Sequence, residues 1–107
     1  MQLFIELQEA LRSLEETTDH FRISGQEAAK AEAEYQKAKA IRALELKAQD
    51  NSASMINLRI KGDAQVNGYL MDRECTRALY EADKELINTL KLKIRIIESQ
   101  LQREYQG

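Results

Sequence analysis

Leu86-Ile87-Asn88-Thr89-Leu90-Lys91-Leu92-Lys93-Ile94-Arg95-Ile96-Ile97-Glu98-Ser99-Gln100-Leu101 carries the most regular apolar spacing in the chain. Projected at about 100° per residue, Leu79, Leu86, Leu90, Ile94, Ile97 and Leu101, reinforced by Ile87, fall in one sector roughly 100° wide. A stripe of that width belongs to a helix that buries one side against another helix. Leu92 and Ile96 fall outside the sector and form a second apolar pair one turn apart, a candidate partner surface. Working backwards, the helical pattern predicts a helix over 64–105, opened by Gly62 as a terminator and Asp63 as a cap.

The N-terminal half repeats the theme. Leu7, Leu11, Leu14, Thr18 and Phe21 alternate at spacings of four and three, which aligns them along one seam of a helix predicted over 3–48. Beyond Ser24-Gly25 the seam turns small, with Ala28, Ala31, Tyr35, Ala38 and Ile41. A glycine inside a helix costs about 1 kcal/mol relative to alanine, so a local bend or a close helix crossing is expected near Gly25. The turn and cap formers Gln49-Asp50-Asn51-Ser52 break the pattern, and 49–63 reads as a hinge.

Composition supports long helices. The 107 residues contain no proline, no tryptophan and four glycines, and aromatics are only 6%, too few for a large globular core. The fold class expected is all-α: one domain, an antiparallel two-helix coiled-coil hairpin assembling into a dimeric four-helix bundle. Charge favours the antiparallel sense. Within 1–21, five acidic residues face Arg12 alone, a net −4; 22–48 holds six basic and four acidic groups, a net +2. Within 63–85 six acidic and three basic groups give −3, and 86–107 has four basic and two acidic, +2. An antiparallel hairpin sets unlike blocks side by side, whereas a parallel pair sets −4 beside −3. With the hinge centred near residue 56, Leu14 meets Ile97, Phe21 meets Leu90, and Ala28 meets the region of Asp83.

The chemistry available is limited. His20 is the only histidine and reads as surface or seam edge; Cys75 is the only cysteine and reads as a small packing residue. The acidic residues lack the Glu-x-x-His spacing of carboxylate-bridged metal sites in bundles, so no metal and no cofactor is implied. A thin hairpin offers no pocket for acid–base work, so no enzyme is expected. The single cysteine and the absence of a basic, apolar leader point to the cytoplasm, and no apolar run approaches the roughly 20 residues of a membrane span. The core and self-association seam is assigned to Leu7, Leu11, Leu14, Phe21, Leu86, Leu90, Ile94, Ile97 and Leu101. Arg73, Arg77, Lys84, Lys91 and Arg95 project within about 40° of each other and form a basic stripe able to follow phosphates, with Tyr80 at its edge positioned to stack on a base. The alternative for that stripe is pairing with acidic residues of the first helix.

Two resemblances bear on purpose. Ala31-Glu32-Ala33-Glu34-Tyr35 and the ending Lys91-Leu92-Lys93-Ile94-Arg95-Ile96-Ile97-Glu98-Ser99-Gln100-Leu101-Gln102-Arg103-Glu104-Tyr105 resemble a group of small, uncharacterised coiled-coil proteins of phages and prophages from Gram-positive bacteria. The resemblance implies a bacterial host cytoplasm and a neighbourhood of recombination and replication functions, and it transfers no site residues. The length and architecture are also similar to the small helical hairpins exported by type VII secretion. That family expects a Trp-x-Gly turn, where this chain has Lys61-Gly62-Asp63 or Asn67-Gly68-Tyr69. The expectation is therefore a helical interaction protein with an unknown protein partner, or else an accessory nucleic-acid binder using the stripe.

Overall fold

The computed structural model describes residues 1–106. It is all-helical among them: α1 spans Gln2–Ala48, α2 Ala53–Lys61 and α3 Ala64–Gln106. α1 continues through Ser24-Gly25 without interruption. The run of good helix formers on either side outweighs the single glycine.

The turn between α1 and α2 is set by backbone hydrogen bonding. Asp50 takes a left-handed conformation (φ 62°), which lets the Asn51 N–H reach the Leu46 carbonyl and the Asp50 N–H reach that of Lys47. This is the Schellman arrangement, with aspartate in the place glycine usually holds. The Asn51 side chain also donates to the Leu46 carbonyl at 2.9 Å, and the Leu46 side chain is 0% exposed. Ser52 then caps α2 by accepting from the Met55 N–H, and Asp63 caps α3 by accepting from the Val66 N–H at 2.9 Å. Within α2, Ile56 and Ile60 are half-buried, while Met55 and Leu58 are exposed.

The chain divides into two compact units, Met1–Ser24 with the chain from Leu79 onward, and Gly25–Ala78. In the first, Ala10 packs with Ile94 and Ile97, and Leu3, Leu7, Leu14 and Leu101 close around them. Early residues of α1 thus meet late residues of α3, the antiparallel sense. Within this unit the less exposed positions of α1, Glu6 apart, are Leu3, Leu7, Ala10, Leu14, Thr17, Phe21 and Ser24; those of α3 are Tyr80, Asp83, Ile87, Leu90, Ile94, Ile97 and Leu101. Both series alternate strictly in fours and threes, the spacing of a heptad seam. With a and d as seam letters, Leu7, Leu14 and Phe21 are a on α1, and Tyr80, Ile87, Ile94 and Leu101 are a on α3. In the second unit Ala31 and Val66 are buried, with Ala28, Tyr35 and Ala38 half-buried.

This seam differs from the expected one at specific residues. Leu11 and Leu86 are each 47% exposed, and Leu79, Thr18 and Ile41 are exposed as well. Two 4–3 alternations pass through Leu7, Leu14 and Phe21, one by way of Leu11 and Thr18, the other by way of Ala10 and Thr17. The chain buries the second, because alanine at position 10 lets the helices approach closely enough to enclose Ile94 and Ile97. Thr18 turns its hydroxyl back to the Leu14 carbonyl, 2.7 Å away.

The seam phase is tested by paired truncations. Ile97→Ala should cost about 2–5 kcal/mol in urea unfolding followed by circular dichroism, the range for emptying a buried aliphatic site. Leu11→Ala should cost less than about 1 kcal/mol in the unassociated chain. Equal losses would restore Leu11 to the seam.

Candidate functional site

The heptad seam is not uniformly apolar. Polar side chains interrupt it, and at three places they make a cross-helix contact. In the first unit Asp83 stands at a d position with its side chain 14% exposed. Its Oδ2 accepts from the Ser24 hydroxyl at 2.6 Å and contacts His20 Nδ1 at 2.6 Å. Ser24 is 3% exposed, and His20, one turn before it on α1, is 63% exposed at the side chain. The hydroxyl has a single hydrogen; the carboxylate, closer and charged, takes it in preference to the Phe21 carbonyl at 3.1 Å. Beside this cluster Phe21 and Tyr80 stack with ring centroids 4.7 Å apart and planes 11° from parallel. The Ser24 hydrogen bond, then the His20 contact and charge, hold the Asp83 carboxyl below the usual carboxylate range, against desolvation.

Serine, histidine and aspartate together invite comparison with a nucleophilic relay. A relay needs the hydroxyl against the imidazole, so that the ring can take the serine proton. Here hydroxyl and imidazole both turn to the same carboxylate oxygen, an arrangement that clamps two turns of α1 to one residue of α3. The clamp meets α1 one to two turns nearer its N-terminus than the expected Ala28. Phe21 likewise meets Tyr80 rather than Leu90.

In the second unit Arg73 pairs with Glu32, and Arg77 reaches the same Oε2 at 3.5 Å. Gln36 donates to the other oxygen of Glu32 at 3.1 Å. That bond first, then Arg73 and Arg77, lowers the Glu32 pKa. The Arg73 guanidinium also lies 5.4 Å from the Tyr35 ring centroid, and Lys39 Nζ 5.1 Å from it. Further along, Arg42 Nε lies 2.9 Å from Asp63 Oδ2 as a charge pair, and its Nη1 donates to Glu45 at 3.0 Å. The Val66 N–H, with Arg42 as the next attraction, lowers the Asp63 pKa, so one carboxylate caps α3 and ties it to α1.

These contacts divide the basic stripe. Arg73 and Arg77 are engaged with Glu32, the pairing alternative. Lys84, Lys91 and Arg95 are exposed, and among the described residues no carboxylate lies within ion-pair distance of them. Tyr80 is half-buried and stacked on Phe21, because it occupies an a position; the edge position that would let it meet a base is not the one it has. Cys75 is exposed rather than packed, since it projects two residues beyond the seam position Arg73. Leu92 and Ile96 are both about half exposed. No group of three or more His, Cys, Asp or Glu side chains able to hold a metal occurs among the described residues, and no helix there is long and apolar enough to cross a membrane.

Sequence reasoning missed Asp83, Ser24 and Ala10. The signal for Asp83 was present: continuing the Ile97, Ile94, Leu90, Ile87 spacing towards the N-terminus lands on Asp83 and then Tyr80. Compared with known families, curated proteins and solved structures, the chain matches none.

The clamps make stability depend on acid pH with a definite sign. Asp83, Glu32 and Asp63 have folded-state pKa values below their unfolded values. Each contributes stability above about pH 4, and that contribution is lost as pH falls through the folded value. Thermal unfolding between pH 7 and pH 2 should show melting temperature falling below about pH 4. Asp83→Asn should melt lower at pH 7 and lose less across the acid range; a parallel acid limb would show that Asp83 is not coupled to folding.

Proposed function

We propose that the chain is a non-enzymatic helical interaction protein, an antiparallel coiled-coil hairpin that self-associates into a dimeric four-helix bundle and binds a further protein. One observation carries this reading. In the unit built from Met1–Ser24 and the chain from Leu79 onward, filling the intrachain seam leaves Phe4, Leu11, Leu79, Leu86, Leu92 and Ile96 about half exposed. Apolar side chains grouped on one side of the unit, as Leu79, Leu86 and Ile96 are, mark interaction surfaces, and a two-helix unit completes a core most simply by pairing with its own copy. The resemblance of 31–35 and 91–105 to phage and prophage proteins supports placing this activity in the cytoplasm of a bacterial host. Absolute mass by light scattering behind size exclusion tests the reading. A dimer over a range of concentrations is expected, and a monomer at all of them would sink it.

A second reading, an accessory nucleic-acid binder, is favoured by one observation: Lys84, Lys91 and Arg95 remain exposed and unpaired among the described residues. With Arg73 engaged by Glu32 and Glu74, and Arg77 by Glu32, the freely exposed stripe is shorter than the sequence suggested. Phosphate contact by three bases predicts affinity falling with salt at a log–log slope of about −2 to −3. The triple change Lys84→Glu, Lys91→Glu, Arg95→Glu should abolish binding to a fluorescent oligonucleotide, and unchanged binding would remove this reading.

A further inference from the structure

In an antiparallel helix pair the two helices are related by a local two-fold, so equivalent heptad positions lie on the same side of the seam. The unit Gly25–Ala78 shows this directly. Glu32 and Arg77 each follow a d residue and meet on one flank, while a groove of about 300 Å³ on the other flank is lined by Glu27, Glu34 and Asp72, each preceding an a residue. The same rule sorts the surface of the other unit into two faces.

On the face formed by g and c positions, charge is segregated by helix. α1 contributes Glu6, Glu9 and Glu16 and no lysine or arginine, its His20 being turned to Asp83. α3 contributes Lys93 and Arg103 and no carboxylate. Four half-exposed apolar side chains, Ile23 from α1 and Leu79, Leu86 and Ile96 from α3, share this face. The opposite face, from e and b positions, is mixed: α3 there places Glu81 and Glu98 among Lys84, Lys91 and Arg95.

We infer that the g/c face of this unit is where a second copy of the chain docks, with the dyad running along the helix axes. The inference rests on the self-association reading and adds the face and the arrangement. A dyad along the axes lays the acidic α1 edge of each copy on the basic α3 edge of the other. Because Ala10 packs with Ile94 and Ile97, Glu9 comes within about a turn of the partner's Lys93. A dyad across the axes lays α1 on α1, acid on acid, which like-charge repulsion disfavours. The mixed e/b face offers no such discrimination between arrangements.

Sedimentation equilibrium on the full chain tests this. Leu86→Glu should raise the dimer dissociation constant at least about tenfold with helical content retained, since position 86 lies outside the intrachain seam. Leu11→Glu, on the other face, should leave the constant within about twofold. Glu9→Lys should weaken the dimer, and adding Lys93→Glu should restore it. A wild-type dimer that survives Leu86→Glu but dissociates with Leu11→Glu overturns the face assignment while leaving self-association standing. Failure of the charge exchange to restore affinity overturns the α1-on-α3 arrangement. A monomeric wild-type chain removes self-association itself.

Discussion

A carboxylate in a helix–helix seam must find donors or force the seam open, and Asp83 finds two on α1, in the Ser24 hydroxyl and the His20 imidazole. Burying a polar group without partners is costly, so the contact acts chiefly by excluding alternatives. Sliding one helix past the other by a heptad keeps the aliphatic seam residues on the seam, since the spacing repeats. It would, however, take Asp83 away from Ser24 and His20, leaving the carboxylate in the seam without its donors and the Ser24 hydroxyl with only the Phe21 carbonyl. In a pairing built from repetitive aliphatic residues, register depends on such exceptions.

The same reasoning extends to the unit Gly25–Ala78, where aliphatic burial is thinner. Alanines line much of its α1 seam, and what holds the helices in place is Glu32 with Arg73 and Arg77, and Arg42 with Asp63. Partly exposed ion pairs of this kind contribute little net stability, because the charges give up hydration to meet. Their geometry is nonetheless restrictive. Arg73 is held by the Glu32 carboxylate and the Tyr35 ring face at once, and an arginine so placed cannot serve an outer surface.

The all-helical class was legible from composition, because a chain without proline and rich in Ala, Glu, Lys, Leu, Gln and Arg has few other options. The phase of the seam was harder. Leucine outranks alanine on any hydrophobic scale, so Leu11 drew the stripe away from Ala10, yet a close helix crossing selects the smaller side chain. Asp83 and Ser24 were passed over for a related reason, since a search for apolar repeats discards the polar members that fix register. Block charges pointed to the antiparallel sense but carry no information finer than a block. Register rested instead on a hinge centred near residue 56, which put Ala28 opposite the region of Asp83, whereas α1 runs on to Ala48 past the level at which Arg42 meets Asp63.

Charge in this chain therefore has two separable roles. Residues at seam positions, such as Asp83 and Arg73, are consumed inside the chain and fix which turn meets which. Residues one or two steps off the seam keep their charge at the surface, where the helix-by-helix segregation on the g/c face favours the antiparallel pairing within the chain and also offers each copy a complementary edge to another. If those charges served only solubility, an interspersed pattern like that of the e/b face would serve as well or better, since separated blocks of opposite sign attract their counterparts on other copies. Segregation beside four half-exposed aliphatic side chains fits a surface whose complement is itself.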